Sequence, residues 1–334
     1  MKVAVIGAGS WGTALAQTLA VAGHEPMMYA RKSDVACTIT HDHYNPRYLS
    51  DVALLPSVSA SSDIEACLFG ASAVVMVTPS KLIRQTARRI APFVSATTPI
   101  IVCSKGVEEG TGDLSLEIVE QECSHRGRLA VLSGPNHAEE IILGIPSGTV
   151  IASASEQTQR FFQDLFTTDY LRCYASYDCV GVELCAAFKN VIAIAVGASY
   201  GTGFGDNTAA MLMTRGMAEM SRLVDACGGS IMTVMGLAGA GDLIVTCTSE
   251  HSRNRTFGYL LAQGTTLVQY EEKTHMVVEG AIACKTILPL AEKYGVELPI
   301  AEGVRELVWE SAPVEKLYHD LFNRPLKSEF WGLQ

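Results

Sequence analysis

Three glycines in the first dozen residues constrain this chain more than any other feature. The opening MKVAVIGAGSWG places Gly7, Gly9 and Gly12 at G-x-G-x-x-G spacing. Val3, Val5 and Ile6 supply a strand before them, and Ala14, Leu15, Ala16, Leu19 and Ala20 supply an apolar helix that ends near Gly23. In that setting Gly7 permits the tight strand-to-helix turn, Gly9 lets backbone approach a diphosphate without a Cβ in the way, and Gly12 lets the helix pack close to the strand. The first N–H groups of the helix then face the diphosphate, where the helix dipole favours negative charge. The unit reads as a dinucleotide binder. Lys2, the apolar stretch and the small residues from Leu19 to Gly23 also have the outline of a secretory signal. A single charge in the n-region and glycines interrupting the apolar run argue against it, so the start is read as mature protein.

The end of the second strand selects the dinucleotide. An acidic residue about twenty positions beyond the glycines holds the ribose hydroxyls of NAD, whereas a basic residue there accepts the NADP phosphate. Here Pro26 to Ala30 is followed by Arg31 and Lys32, with no carboxylate at the key position. NADP is therefore favoured over NAD, although Arg31 and Lys32 also suit solvated charges at a strand end.

The length of 334 residues suggests two domains, and 48% hydrophobic with 18% charged residues describes a well-buried chain. A formal charge of -10 lacks the basic footprint that nucleic acid or an anionic membrane requires. The ten cysteines form no C-x-x-C pair and read as small buried hydrophobes in a reducing compartment. His41 and His43 flank Asp42, but without further ligands they read as loop histidines, and no metal is expected. The most membrane-like stretch, Val191 to Ser199, is too short to span a bilayer. A cytoplasmic location is expected.

Apolar strand-like runs alternate with helical stretches until about residue 176. The runs are Ala73 to Val77, Pro99 to Cys103, Leu129 to Leu132 and Gly148 to Ala152. This rhythm predicts an α/β fold, a Rossmann-type doubly wound, mostly parallel sheet over residues 1-176. Ligands bind such sheets beyond the carboxyl ends of the strands, where the loops carrying Gly9, Pro79, Lys105 and Gly134 fall. From residue 177 to 334 strand patterns vanish and 3.6-residue spacing dominates, which predicts an all-helical C-terminal domain.

Within the first long helix of that domain, the positions three and four from Lys189 are Cys185, Ala186, Ile192 and Ala193. All are apolar, so Lys189 points where the helix buries its stripe. Desolvation lowers the pKa of such a lysine toward the range useful for proton transfer, making it a candidate general acid/base. The same pattern also suits a lysine that snorkels to water. Further along, Gly239, Ala240, Gly241 and Asp242 precede Thr246, and Ser252, Arg253, Asn254 and Arg255 precede an apolar helical run. Arginine offers a planar fork matched to phosphate oxygens, and Asp242 can orient an ammonium such as Lys189. The alternative is an N-capping loop with solvated arginines.

Taken together, these motifs resemble the bacterial-type NAD(P)-dependent glycerol-3-phosphate dehydrogenases over nearly the whole chain. The likeness rests on GAGSWGTALA, SKG at Ser104 to Gly106, LSGPNHAEE from Leu132, ELCAAFKNVIAIAVG, GAGDLIVTCTSEHSRNRTFG, and VVEG from Val277 to Gly280. The resemblance implies that Ser10, Trp11 and Arg31, with Lys32 beside it, contact the cofactor, joined by Ala138, Val277 and Glu279. It implies that Lys105 lies near both cofactor and substrate, that Gly134 and position 136 form the substrate loop, and that Lys189 is the proton donor and acceptor. Asp242 is then the partner of substrate and lysine, with Thr246 beside it. Ser252, Arg253 and Asn254 form the glycerol phosphate site, Arg253 also reaching the cofactor. Position 136 departs from the pattern, carrying Asn136 where the family usually has serine or threonine.

The implied reaction is reversible hydride transfer between NAD(P)H and C2 of dihydroxyacetone phosphate, giving sn-glycerol 3-phosphate. Lys189 supplies the proton and Lys105 adds electrostatic stabilisation. The resemblance further implies a homodimer that supplies phospholipid synthesis. Two rivals remain: a β-hydroxyacid dehydrogenase or ketopantoate reductase on the same plan, whose substrate carries a carboxylate, and a dinucleotide sensor without catalysis.

Overall fold

A computed structural model describes residues 1–124 and 127–333 of the chain. They form two compact units. The first comprises Met1–Ser104 with Ser115–Cys179, and the second comprises Lys105–Leu114 with the chain from Val180 onward.

The first unit is built on an eight-stranded sheet: β1 (Lys2–Ile6), β2 (Glu25–Tyr29), β3 (Ser59–Ser61), β4 (Ala73–Met76), β5 (Ile100–Val102), β6 (Leu129–Ser133), β7 (Ser147–Ala152) and β8 (Leu171–Ser176). Their order is β3-β2-β1-β4-β5-β6-β7-β8, parallel throughout except for the antiparallel β6/β7 pair. The central strands β4 and β5 are apolar and buried at every position because both faces are covered. Val3 and Val5 join a core on one face with Leu15, Leu19 and Met28, while Ala4 and Ile6 join a core on the other with Val74 and Met76. The order reverses between β1 and β4, and the crevice at the carboxyl ends of those two strands is where such sheets take ligands.

The second unit is helical in all its described regular elements. At its centre lies the 23-residue lysine helix Cys179–Gly201, buried at every position from Gly181 to Ser199. By length and composition this helix suits a membrane span, yet 89% of its most apolar window is buried inside the protein, so its hydrocarbon serves a core. The segment Ile231–Thr248 passes the same test with 39% burial, but it carries the buried carboxylate of Asp242. Small residues set how closely the helices pack. A Cβ on Gly197 would sit 2.0 Å from the carbonyl oxygen of Arg255, and one on Gly258 would sit 2.1 Å from that of Ile194. The lysine helix and the helix Arg253–Ala262 therefore touch backbone to backbone.

The eight strands include two that the sequence pattern does not announce. β3 is a three-residue edge strand of Ser59, Ala60 and Ser61, and β8, at the opposite edge, alternates buried Leu171 and Cys173 with exposed Arg172 and Tyr174. The single boundary read at 176/177 also differs from the observed division, because Lys105–Leu114 belongs to the second unit. The reason is local. A bridge between Val107 and Leu114 closes this loop, and both side chains are buried in the helical core beside Leu184 and Phe188.

Candidate active site

In the first unit the glycine loop has the shape its spacing implies. Gly7 adopts φ +135, and a Cβ there would lie 2.4 Å from the Val77 carbonyl oxygen that follows β4. A Cβ on Gly12 would lie 2.1 Å from the carbonyl oxygen of Gly7, so the helix Ser10–Val21 can start this close to the strand only with glycine. A Cβ on Gly9 would meet nothing within 4 Å. Gly9 is the N-cap of the helix, no side chain caps it, and its first N–H groups are left for an external acceptor. Trp11 in the first turn keeps a buried Nε1 without a hydrogen-bond partner. An open glycine flank beside uncapped donors fits a diphosphate, so these residues suit the dinucleotide.

Asn45 holds this loop, a role that the sequence reading missed. Its Nδ2 donates to the carbonyl oxygen of Ala8 (3.1 Å) and to Oγ1 of Thr13 (2.8 Å), while its Oδ1 accepts from the backbone N–H of Arg47 and Tyr48. Every polar group of this fully buried amide is thus engaged. The only signal in the sequence was an Asn-Pro turn.

Arg31 and Lys32 are exposed just past β2, and Lys32 is the N-cap of the helix Ser33–His41. Gly134 is packed so tightly that a Cβ would lie 2.9 Å from the Cα of Thr149, and buried Ala138 opens the short helix Ala138–Ile141. Asn136 turns its Nδ2 to the carbonyl oxygens of Pro135 (3.0 Å) and Gly148 (3.1 Å), leaving Oδ1 buried without a partner. Both of those neighbours only accept, so the amide orientation is fixed and both its N–H groups are committed to its own loop. The donor that a serine or threonine hydroxyl offers at this position is absent.

The chemical centre of the second unit is Asp242. Its carboxylate is 1% exposed and lies between two ammonium groups. Lys189 donates from Nζ to Oδ1, and Lys105 donates to Oδ2 at 2.7 Å. The Lys189 Nζ also donates to Oγ1 of Thr246 at 2.8 Å, and that hydroxyl donates to the carbonyl oxygen of Asp242 at 2.6 Å. Asp242 and Thr246 share a face because they stand one turn apart on the helix Asp242–Thr248. Just before it, Leu237–Gly241 forms one turn of π-helix, a local widening frequent at functional sites. Gly239 permits it, since a Cβ there would lie 2.2 Å from the carbonyl oxygen of Val234.

Burial pushes the Lys189 ammonium down to about 7, with Asp242 opposing that fall and Lys105 adding to it. Burial alone would raise the Asp242 carboxyl, but the flanking charges of Lys105 and Lys189 hold it below its ordinary value. Lys189 is therefore a buried acid that gives up its proton near neutrality, and the snorkelling alternative is excluded by its 6% exposure. With both lysines protonated the cluster carries one excess positive charge, which suits an anionic ligand.

Ser252 is the N-cap of Arg253–Ala262, its Oγ accepting from the Arg255 N–H at 3.3 Å, and Arg253 is exposed in the first turn. Asn254 is buried. Its Nδ2 donates to Oδ1 of Asn190 at 2.9 Å, and its Oδ1 accepts from the Gly280 N–H at 2.9 Å. Gly280 lies in the first turn of the helix Glu279–Lys293, with half-buried Val277 and Glu279 just before it. Asn190 is a second residue that sequence reasoning passed over, although it sits beside Lys189 in an otherwise apolar run. Among the described residues, no group of three or more His, Cys, Asp or Glu side chains is arranged to hold a metal ion.

Both halves of the sequence match models of one protein family. The family model for the N-terminus of NAD-dependent glycerol-3-phosphate dehydrogenase matches residues 2–159, and that for its C-terminus matches residues 178–319. The chain is 42% identical to a glycerol-3-phosphate dehydrogenase [NAD(P)+] of Staphylococcus haemolyticus over 98% of its own length and 99% of the relative's. It is 42% identical to one of Moorella thermoacetica over 98% of itself and 97% of the relative. A crystal structure of glycerol-3-phosphate dehydrogenase from Coxiella burnetii superposes with a TM-score of 0.92 at 34% identity, covering 96% of this chain and 98% of the other.

Proposed function

Because this chain belongs to the NAD-dependent glycerol-3-phosphate dehydrogenase family, we propose that it interconverts dihydroxyacetone phosphate and sn-glycerol 3-phosphate with NAD(P). The observation that carries this reading is the buried Lys189, paired with Asp242 and poised near neutrality. Bound NAD(P)H supplies the hydride that adds to C2 of the ketone. The ketone oxygen gains negative charge as it becomes an alkoxide, and the Lys189 ammonium transfers a proton to it, leaving a neutral amine. Asp242 keeps the Lys189 Nζ aimed, and Thr246 fixes it from a second side. The Lys105 side chain, bound to the other Asp242 oxygen, stabilises the developing alkoxide. In the reverse direction neutral Lys189 takes the hydroxyl proton.

Arg253 and Asn254 are the phosphate ligands in this reading, with Ser252 shaping the helix start on which both sit. Gly7, Gly9 and Gly12 take the diphosphate. Ser10, Trp11 and Ala138 are further cofactor contacts in this reading, as are Lys105, Arg253, Val277 and Glu279. Gly134 lines the substrate loop, and Asn136 contributes no donor to it because both its N–H groups are engaged. Arg31 and Lys32, with no carboxylate at the end of β2, support a preference for NADP over NAD. The enzyme works as a cytoplasmic homodimer that supplies the glycerol phosphate backbone of phospholipids. The decisive test is a spectrophotometric assay with dihydroxyacetone phosphate and either NADPH or NADH. Oxidation dependent on the ketone supports the reading, and its absence with both cofactors refutes it.

A further inference from the structure

Asn190 follows Lys189 on the lysine helix but takes no part in the proton transfer. It stands in a chain of three hydrogen bonds whose direction is fixed at both ends. The Gly280 N–H can only donate, so it must face Oδ1 of Asn254 (2.9 Å). That turns the Asn254 Nδ2 toward Asn190, whose Oδ1 accepts it at 2.9 Å. Asn190 must then present its own Nδ2 to the carbonyl oxygen of Ala186 (3.3 Å), which can only accept. All three links are buried. The contact is enforced by packing, since a Cβ on Gly280 would lie 2.4 Å from the carbonyl oxygen of Asn190. Asn254 has two N–H groups, and this relay uses one of them.

We propose that Asn190 is a positioning residue for substrate: it holds the Asn254 amide in the single orientation that leaves one N–H free for the phosphate. The proposal rests on the reading of Asn254 as a phosphate ligand. Without the Asn190 acceptor, Asn254 keeps only its bond to Gly280, and the free N–H is no longer directed.

A double-mutant cycle tests this, using Asn190→Ala, Asn254→Ala and both together in the full-length enzyme. Asn190→Ala should raise the Michaelis constant for dihydroxyacetone phosphate about tenfold, the scale of one directed hydrogen bond, with turnover within about twofold of the parent. NADPH affinity, read by fluorescence titration, should not move. The double variant should be no worse than Asn254→Ala alone. Additive effects in the cycle, or a fall in turnover at unchanged Michaelis constant, overturn the proposal. An Asn254→Ala enzyme with a normal Michaelis constant instead overturns the phosphate assignment beneath it. If Asn190→Ala does not fold by circular dichroism, the same cycle is run with Asn190→Ser, whose hydroxyl is too short to reach the amide, and the same outcomes decide.

Discussion

Replacing Asp242 by asparagine is the sharpest test of the proton donor, because it removes a charge while keeping shape. In the parent protein Lys189 loses its proton at about 7 even with a carboxylate against it. Two unit charges about 4 Å apart at an effective dielectric near 20 attract by about 4 kcal/mol, roughly a thousandfold in a protonation equilibrium. Asp242→Asn withdraws that attraction and leaves the repulsion from Lys105, so at neutral pH only about one molecule in a thousand retains the Lys189 proton. The sign follows from the chemistry. Ketone reduction needs the protonated amine, which exists below its pKa, so the parent's reduction rate falls as pH rises through about 7, and glycerol phosphate oxidation rises over the same interval. In Asp242→Asn the descending limb of reduction moves toward acid, the rate at neutral pH drops by about 10²–10³, and acidification recovers part of it. The assay is a pH profile of kcat/KM for dihydroxyacetone phosphate, with circular dichroism to establish that the variant folds. A variant whose limb stays near neutrality, or whose rate is close to the parent's, would refute Lys189 as the donor held by Asp242.

Other outcomes follow from other parts of the molecule. Burial pushes Glu219 up to about 8, and its Oε1 accepts from the Ile300 N–H at 2.8 Å. A raised carboxyl contributes stability that is full below its unfolded value near 4.5 and is lost as pH rises through about 8. Glu219→Gln keeps the acceptor, so its melting temperature should fall less than the parent's as pH rises from about 4.5 to about 8, and identical profiles would contradict this. Gly9→Ala should leave the melting temperature unchanged yet weaken NADPH binding about tenfold or more, because its Cβ meets only open space where the diphosphate is proposed. Gly12→Ala should lower the melting temperature as well, by about 1–3 kcal/mol of strain, since its Cβ would press on the Gly7 carbonyl. Equal melting temperatures for the two variants would contradict that reading. Arg31→Ala should reduce the preference for NADPH over NADH in kcat/KM about tenfold, and an unchanged ratio would remove Arg31 from cofactor selection.

What could be read in the sequence was local. The glycine loop announces itself because its spacing, strand and helix lie within about twenty residues, and Lys189 stands out because its neighbours one turn away are all apolar. The two edge strands were silent for a physical reason. An edge strand exposed on one face needs few apolar residues, and in β3 the backbone pairing with β2 does what side chains do elsewhere. The relocation of Lys105–Leu114 was equally invisible, because its Val107 and Leu114 seat in a core built by later helices and its Lys105 meets a carboxylate 137 positions away. The resemblance named Lys105 and Lys189 separately, but no spacing rule puts both on the Asp242 carboxylate. The buried amides form a third case: Asn45, Asn136 and Asn190 look alike in sequence, and only their partners reveal that one anchors a loop, one has no donor left and one directs another amide.

The excursion of Lys105–Leu114 into the second unit bears on any attempt to dissect the enzyme. The polypeptide passes from one unit to the other at 104/105, 114/115 and 179/180, so no single scission yields an intact helical half. A fragment beginning near residue 177 would lack one of the two cations on Asp242 and leave the berths of Val107 and Leu114 vacant. Such a fragment would be short of a charge and two plugs, and supplying the missing decapeptide in trans would be the way to repair it.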